Sequence, residues 1–600
     1  MTVTLPARTE VPARYRWNVE SVFGTDAEWE AAYEEVRARL PELERFRGRL
    51  AEGPDVLADF LAAGEAVQLQ AGRIMVYATL RSSVDSGDDA AAALSDRARG
   101  LNARVQATMA FAEPEMLAVG VEQLRSWAEG SERLGAYAHA FDRLARIAPH
   151  VRPADVEEVL GMAAEPLQSA AAVHGILANA ELRLHPAAGS DGTRREVAQG
   201  TYTDLLGDPD REVRRTAWES YADAHLEVAR TMAACLATGN KRDAFLARSR
   251  RYRDSLEAAL TPNHVPVEVF HAVVDAFREN LGTWHRYWRL RRRVLGLDPL
   301  REYDTRAPLA TRVEVPFERA VDLICEGMAP LGEEYVAALR RGVLEERWVD
   351  VYPNRGKRQG AFSTGSNGTH PFVFMSYGDS LPSLSTLAHE LGHSMHRYLT
   401  SRAQPFVYSR YGLFLAEVAS NFNQALVRAH LLAGNPDPAF EVAVIEEAMG
   451  NFHRYFLVMP TLSRFELETH RRVERGEALT ADGMTELMAD LLAEAYGGEV
   501  ELDRRRSGIM WAQFSTHLYM NFYPYQYATG IAGAHALVER VRSGEPDAAG
   551  RYLRFLSAGS SMYPLDALRM AGVDLASREP VDRAFRVLAG YVDRLEELLG

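Results

Sequence analysis

"LAHELGHSMH" (387–396) sets three histidines and a glutamate within ten positions. Whether this is a metal-binding helix or one merely rich in histidine decides how the chain is read. His389, Glu390 and His393 spell HExxH. On a helix, residues four apart share a face, so both imidazoles can meet one ion. Glu390 sits one step round, within reach of a water on that ion without ligating it. Zinc would bring the pKa of such a water toward neutrality, and a carboxylate could then take its proton. With 17 histidines in 600 residues, HExxH arises by chance at odds of roughly 1 in 25, so its context has to support it. Leu384, Leu387 and Leu391 give the segment an apolar anchor, and "PSLS" (382–385) places Pro382 near the first turn.

A catalytic zinc takes a third protein ligand and keeps a position open. His396 shares the face of His393, yet lies too far along the helix to suit the same ion. A role behind the ligands or toward substrate fits it better. The pattern HExxHxxGxxH is absent. The next expected helix, "GLFLAEVASNFNQALVRAHLL" (412–432), carries Glu417 among Leu413, Leu415, Val418 and Phe422. A carboxylate on such a buried strip needs a partner. Zinc would supply one; a core ion pair is the plain alternative.

Two further clusters stand out. "GAFSTGSNGTHPFVFMSYG" (360–378) is rich in glycine, aromatics and β-favouring residues and predicts strands or a hairpin just before the histidine helix. Its edge could receive an extended peptide, or the sheet could be purely structural. "THLYMNFYPYQYATG" (516–530) holds His517 with Tyr523, Tyr525 and Tyr527. Phenols and an imidazole are suitable donors to the oxyanion formed when water attacks an amide; an aromatic core segment is the alternative.

Elsewhere the chain reads as amphipathic helix. In "DAEWEAAYEEVRARLPELERF" (26–46), Trp29, Tyr33, Val36 and Leu40 recur at helical spacing. In "DPDREVRRTAWESYADAHLEVARTM" (208–232), Asp208 is placed to cap and Pro209 to open a helix. "LHPAAGSDGTRRE" (184–196) is the best linker candidate and suggests a division into 1–195 and 196–600. A net charge of −15 with no dense Lys/Arg block speaks against nucleic acid as a partner. Cys235 and Cys325 cannot build a disulfide framework, and a reducing compartment fits them. The opening residues lack a signal-peptide core, and no apolar run is long enough for a membrane span. A cytoplasmic location is expected.

In this order, the three clusters resemble the thimet-type (M3) family of zinc oligopeptidases, in particular its bacterial oligoendopeptidase F branch. The likeness extends to "RWNVESVF" (16–23), "REYDTRAPL" (301–309), "GAFSTG" (360–365), "FLAEVASNF" (414–422), "RFELETH" (464–470), "YGGEVELD" (496–503), "NFYPYQYATG" (521–530) and "SMYPLDALRMAGVDL" (561–575). The resemblance implies a mainly α, two-lobed zincin-type metallopeptidase enclosing a deep channel, with a small β element before the HExxH helix. It implies an N-terminal helical lobe (1–195), a catalytic domain (196–600), and one Zn2+ held by His389, His393 and Glu417, with Glu390 as general base. His517 and one or two of Tyr523, Tyr525 and Tyr527 would stabilise the oxyanion. Ala361, Phe362, Ser363, Thr364 and Gly365 would hold the substrate backbone, and His396 would stand behind the ligands. The expected activity is cytoplasmic cleavage of internal bonds in short oligopeptides, with no nucleic acid or membrane as partner. A carboxypeptidase or dipeptidyl carboxypeptidase on the same scaffold would need a cation for the substrate's C-terminal carboxylate, and no single Arg or Lys announces itself. A peptide-binding protein with an inert zinc site would have no need of Glu390.

Overall fold

Helix formation follows the apolar spacing. In the computed structural model, which describes residues 5–600, the segment expected over 26–46 folds as the helix Asp26–Glu44. Thr25 caps it by accepting from the Glu28 N–H at 3.2 Å, a bond of the kind that contributes about 1 kcal/mol. Trp29, Tyr33, Val36 and Leu40 are all buried. Trp29 Nε1 donates to the Ile74 carbonyl at 3.0 Å, tying this helix to Pro54–Val84. The helix expected from Asp208 instead starts at Arg211. Asp208 accepts from the Asp210 N–H at 2.8 Å, a local turn that competes with helix, and Asp210 becomes the cap.

The fold is mainly α, with five short strands among the described residues: β1 (Ala187–Ala188), β2 (Arg194–Arg195), β3 (Val349–Asp350), β4 (Phe362–Thr364) and β5 (Phe372–Phe374). The chain forms two compact units, each assembled from three separated segments. The first comprises the described residues up to Val151 with Glu314–Val427 and Arg540–Gly572; the second comprises Arg152–Val313, Arg428–Glu539 and Val573–Gly600. Residues 195 and 196, where a division is expected, both lie in the second unit, and the hairpin β1–β2 occupies the intended linker. No helix among the described residues is long and apolar enough to cross a membrane. Cys235 and Cys325 are free and buried.

In the first unit the strand order is β3–β5–β4. The central strand β5, "FVF", is buried at all three residues, as a strand covered on both faces must be. Phe372 and Phe374 join the core of Trp17, Trp29 and the N-terminal helices. The strand β4 pairs only with β5, antiparallel, with Ser363 opposite Val373. Val373 N–H donates away from β4, to the Trp348 carbonyl at 2.8 Å. Ser363 and Val373 are therefore a non-hydrogen-bonded pair, and the N–H and C=O of Ser363 point to the open edge of the sheet. This sheet precedes the helix Leu381–Ala403, capped by Ser380 with Pro382 in its first turn. The helix Leu413–Gly434 follows.

Candidate metal centre and catalytic groups

The histidine helix and its successor cross at Gly392, inside the HExxH motif. A Cβ at Gly392 would lie 2.6 Å from the Ala419 carbonyl oxygen and 2.7 Å from Ser420 Cα, so only glycine permits the approach. The crossing brings His389, His393 and Glu417 together, with one ligand atom from each within 4.8 Å of the others. His389 Nε2 is 3.6 Å from Glu417 Oε2. Tetrahedral zinc with bonds near 2.0–2.1 Å would hold its ligand atoms about 3.3 Å apart, so the group can close on one ion with small adjustments. Two imidazoles and a carboxylate are a donor set of the kind zinc takes.

Neighbours set the ligands' orientation. His389 Nδ1 donates to Gln424 Oε1 at 2.9 Å, and Gln424 Nε2 donates to Ser385 Oγ at 2.8 Å. This fixes the tautomer that leaves the Nε2 lone pair facing Glu417. Burial, then the charges of His389, His396 and Arg397, push His393 well below its ordinary pKa and hold it in the neutral, ligating form; its ring donates to the Ala416 carbonyl. Ser420 Oγ donates to Glu417 Oε2 at 3.2 Å. Gln424 had no motif to announce it. Its one sequence signal is its position two helical turns beyond Glu417, on the same face. Gln424→Ala is expected to lower zinc affinity roughly 10- to 100-fold, as loss of a ligand-orienting partner does, in a competition titration against a chromophoric chelator.

Glu390 lies beside this group but outside it. Burial pushes its carboxyl up to about 7; the His389 charge opposes the rise, Glu417 adds to it, and a hydrogen bond from the Ser363 backbone N–H draws it back. Ser363 Oγ also bonds Ser394 Oγ at 2.9 Å, and Ser394 Oγ donates to the Glu390 carbonyl at 2.9 Å. The expected substrate segment is thereby clamped to the histidine helix: Ala361 leads into β4, Phe362 stacks on Phe374 with centroids 5.0 Å apart, Ser363 offers its backbone, and Thr364 and Gly365 follow. His396 is fully buried and stacked on Tyr411, with ring centroids 3.5 Å apart and neither nitrogen hydrogen-bonded. Tyr411 in turn donates to the His393 carbonyl at 3.3 Å. His396 thus supports the helix through packing and does not face solvent.

The second unit gathers the other cluster. Tyr523 and Tyr527 hydroxyls are 3.0 Å apart, and the His517 ring lies 6.1 and 5.8 Å from theirs. Burial, then the Arg454 charge, pushes His517 down to about 4, so it is a neutral imidazole. Tyr525 turns the other way. It is buried, its ring 5.4 Å from that of Phe270, and in the helix Tyr525–Arg542 it points away from Tyr527, since residues two apart lie on opposite sides of a helical turn. The tyrosines follow a strained corner, Asn521 at φ 42° and Phe522 at φ 55°, left-handed positions that cost about 1–3 kcal/mol each outside glycine. The buried Glu466 offsets this by accepting from the Phe522 N–H at 2.6 Å. Phe522 itself packs against His470 and Phe270. "RFELETH" supplies both Glu466 and His470, so that motif shapes the corner from which Tyr523 projects.

The model of peptidase family M3 matches residues 205–587. The chain belongs to peptidase family M3. A second model, Oligopeptidase F, matches residues 115–183 of this family member. The chain is 36% identical to oligopeptidase PepF of Bacillus subtilis over 598 residues, covering 99% of this chain and 89% of that protein. It is 32% identical to the group B oligopeptidase PepB of Streptococcus agalactiae, covering 99% and 98%. Among solved structures, oligoendopeptidase-F from Enterococcus faecium superimposes with a TM-score of 0.76 at 29% identity, over 96% of this chain and 99% of that one.

Proposed function

We propose that this M3 peptidase is a zinc-dependent endopeptidase that hydrolyses internal bonds of short oligopeptides. The observation that carries the reading is the crossing that assembles His389, His393 and Glu417 with the unligated Glu390 beside them and the open edge of β4 against Glu390. Zinc on the three ligands would act as a Lewis acid toward the scissile carbonyl and make a water more acidic. Glu390 then accepts the proton of the attacking water and delivers it to the leaving amine. An extended peptide can lie along β4, donating to the Ser363 carbonyl on the open edge while the Ser363 N–H stays on Glu390. His517 with Tyr523 or Tyr527 would donate to the oxyanion; Tyr525, sunk against Phe270, is the least suited of the three. One such donor is typically worth about 3 kcal/mol, a hundredfold or more in rate.

The test is a mass-spectrometric map of the products that the zinc-loaded protein makes from a pool of short peptides of mixed length. Internal cuts are expected. Loss of residues from the C terminus alone would convert the reading to a carboxypeptidase, and a folded, zinc-loaded protein that cut nothing would leave a binding protein.

A further inference from the structure

One face of the histidine helix runs along β4. Glu390, Ser394, Arg397 and Ser401 recur three or four residues apart and share that face. Ser394 Oγ bonds Ser363 Oγ at 2.9 Å, and Ser401 Oγ donates to Asn367 Oδ1 at 3.4 Å. Between these two contacts the stem of Arg397 lies against Gly365. A Cβ at Gly365 would stand 3.0 Å from Arg397 Cδ and 3.2 Å from the His370 carbonyl oxygen, so a larger residue there would crowd the arginine. Ser363, Gly365 and Asn367 thus step past Ser394, Arg397 and Ser401 in register. All of these residues belong to the first unit, as do His389, His393 and Glu417. Arg397 follows His393 by one turn, about 6 Å along the helix axis.

The charge of Arg397 is unanswered. Other half-buried arginines of this unit meet carboxylates, Arg8 on Asp350 and Arg347 on Glu20. Arg397 is half-buried too, yet among the described residues it makes no hydrogen bond and no ion pair, although the chain carries a net charge of −15. An arginine head that reaches open water needs no other partner. One partly withdrawn from water is stabilised by a counter-charge, and a planar guanidinium takes a carboxylate bidentately.

A peptide lying along β4 would bring such a group. An extended chain advances roughly 3.3 Å per residue, so a peptide that donates to the Ser363 carbonyl, beside Glu390, passes Gly365 about two residues further along. We propose that Arg397 is a specificity determinant that binds a carboxylate of the peptide on β4, about two residues from the bond that is cut. The assignment rests on the peptidase reading above and adds a preference for acidic substrates at one position.

The carboxylate could belong to an aspartate or glutamate side chain or to the C terminus, so peptides of one core sequence are compared in two series. One carries Glu or Gln two residues to either side of the cut bond. The other ends two residues beyond that bond in a free carboxylate or a carboxamide. kcat/KM is measured for the zinc-loaded protein, for Arg397→Ala, and for Arg397→Met, which keeps an unbranched stem against Gly365. Each comparison is a ratio within one protein, so a general loss of activity does not enter it. In the parent the carboxylate peptide of one series is expected to be favoured roughly tenfold or more, as a charge-assisted hydrogen bond allows, chiefly through KM. Both variants should erase that gap. A gap in the first series names a side chain as the source, and a gap in the second names the terminus. No gap in either series, or a gap that survives in a folded, zinc-loaded Arg397 variant, would overturn the assignment. Binding of the same peptides to Glu390→Gln, with and without Arg397→Ala, gives the comparison without turnover. Failure to cleave any peptide would count against the peptidase reading, while the binding comparison would still decide the carboxylate site.

Discussion

Glu390→Gln is expected to lower kcat/KM roughly a hundred- to ten-thousandfold, the range a positioned general base supplies, with zinc content and melting temperature unchanged. The side chain is isosteric, and its amide oxygen can still accept from the Ser363 N–H that Glu390 engages. The clamp between β4 and the histidine helix also runs through Ser363, Ser394 and the Glu390 carbonyl, none of which changes. What glutamine cannot do is take a proton. The ligand group is His389, His393 and Glu417, so the ion should remain. Metal analysis of the purified variant beside hydrolysis of a fluorogenic peptide separates the alternatives. Activity within a few-fold of the parent would remove Glu390 as the base. Loss of zinc would instead give it a part in holding the ion.

The residues whose placement follows from local spacing were legible in the sequence. His389 and His393 meet because helical residues four apart share a face. Glu417 was legible because a carboxylate on an apolar helical strip demands a partner. The strands before the motif announced themselves by composition, and Trp29, Tyr33, Val36 and Leu40 by period. What stayed hidden depends on contacts between distant segments. Gly392 looks like an ordinary variable position in HExxH until the Ala419 backbone is seen against it. Gln424 has no motif, and Ser363 matters through a backbone N–H that no side-chain pattern reports. Each compact unit draws on three separated segments, which a linear division at 195/196 does not express. Tyr525 is a different case. The helical period that separates it from Tyr527 was already present in "YQY", and only the start of the helix at Tyr525 was missing to apply it.

Glu417→Ala should reduce zinc affinity by far more than the roughly 100-fold upper range for losing a ligand's supporting partner, because it removes one of three protein donors. The scaffold gives no reason for collapse. The helix crossing is set by Gly392 against Ala419 and Ser420 and by the buried Val418 and Phe422, none of which contacts solvent through the carboxylate. Removing the buried Glu417 charge also relieves its repulsion of Glu390, so the metal-free variant should melt no lower than the metal-free parent. The difference appears on adding zinc. An ion that binds only the folded state stabilises it by RT ln(1 + [Zn]/Kd), about 2.7 kcal/mol at a hundredfold excess over Kd. The parent should therefore show a rise in melting temperature with zinc, while Glu417→Ala should show none at the same concentration. His393→Ala should behave likewise, whereas Glu390→Gln should keep the parent's zinc response. A zinc-dependent rise that persists undiminished in Glu417→Ala would mean that the third donor lies elsewhere, and the helix Leu413–Gly434 would then owe its buried glutamate to some other partner.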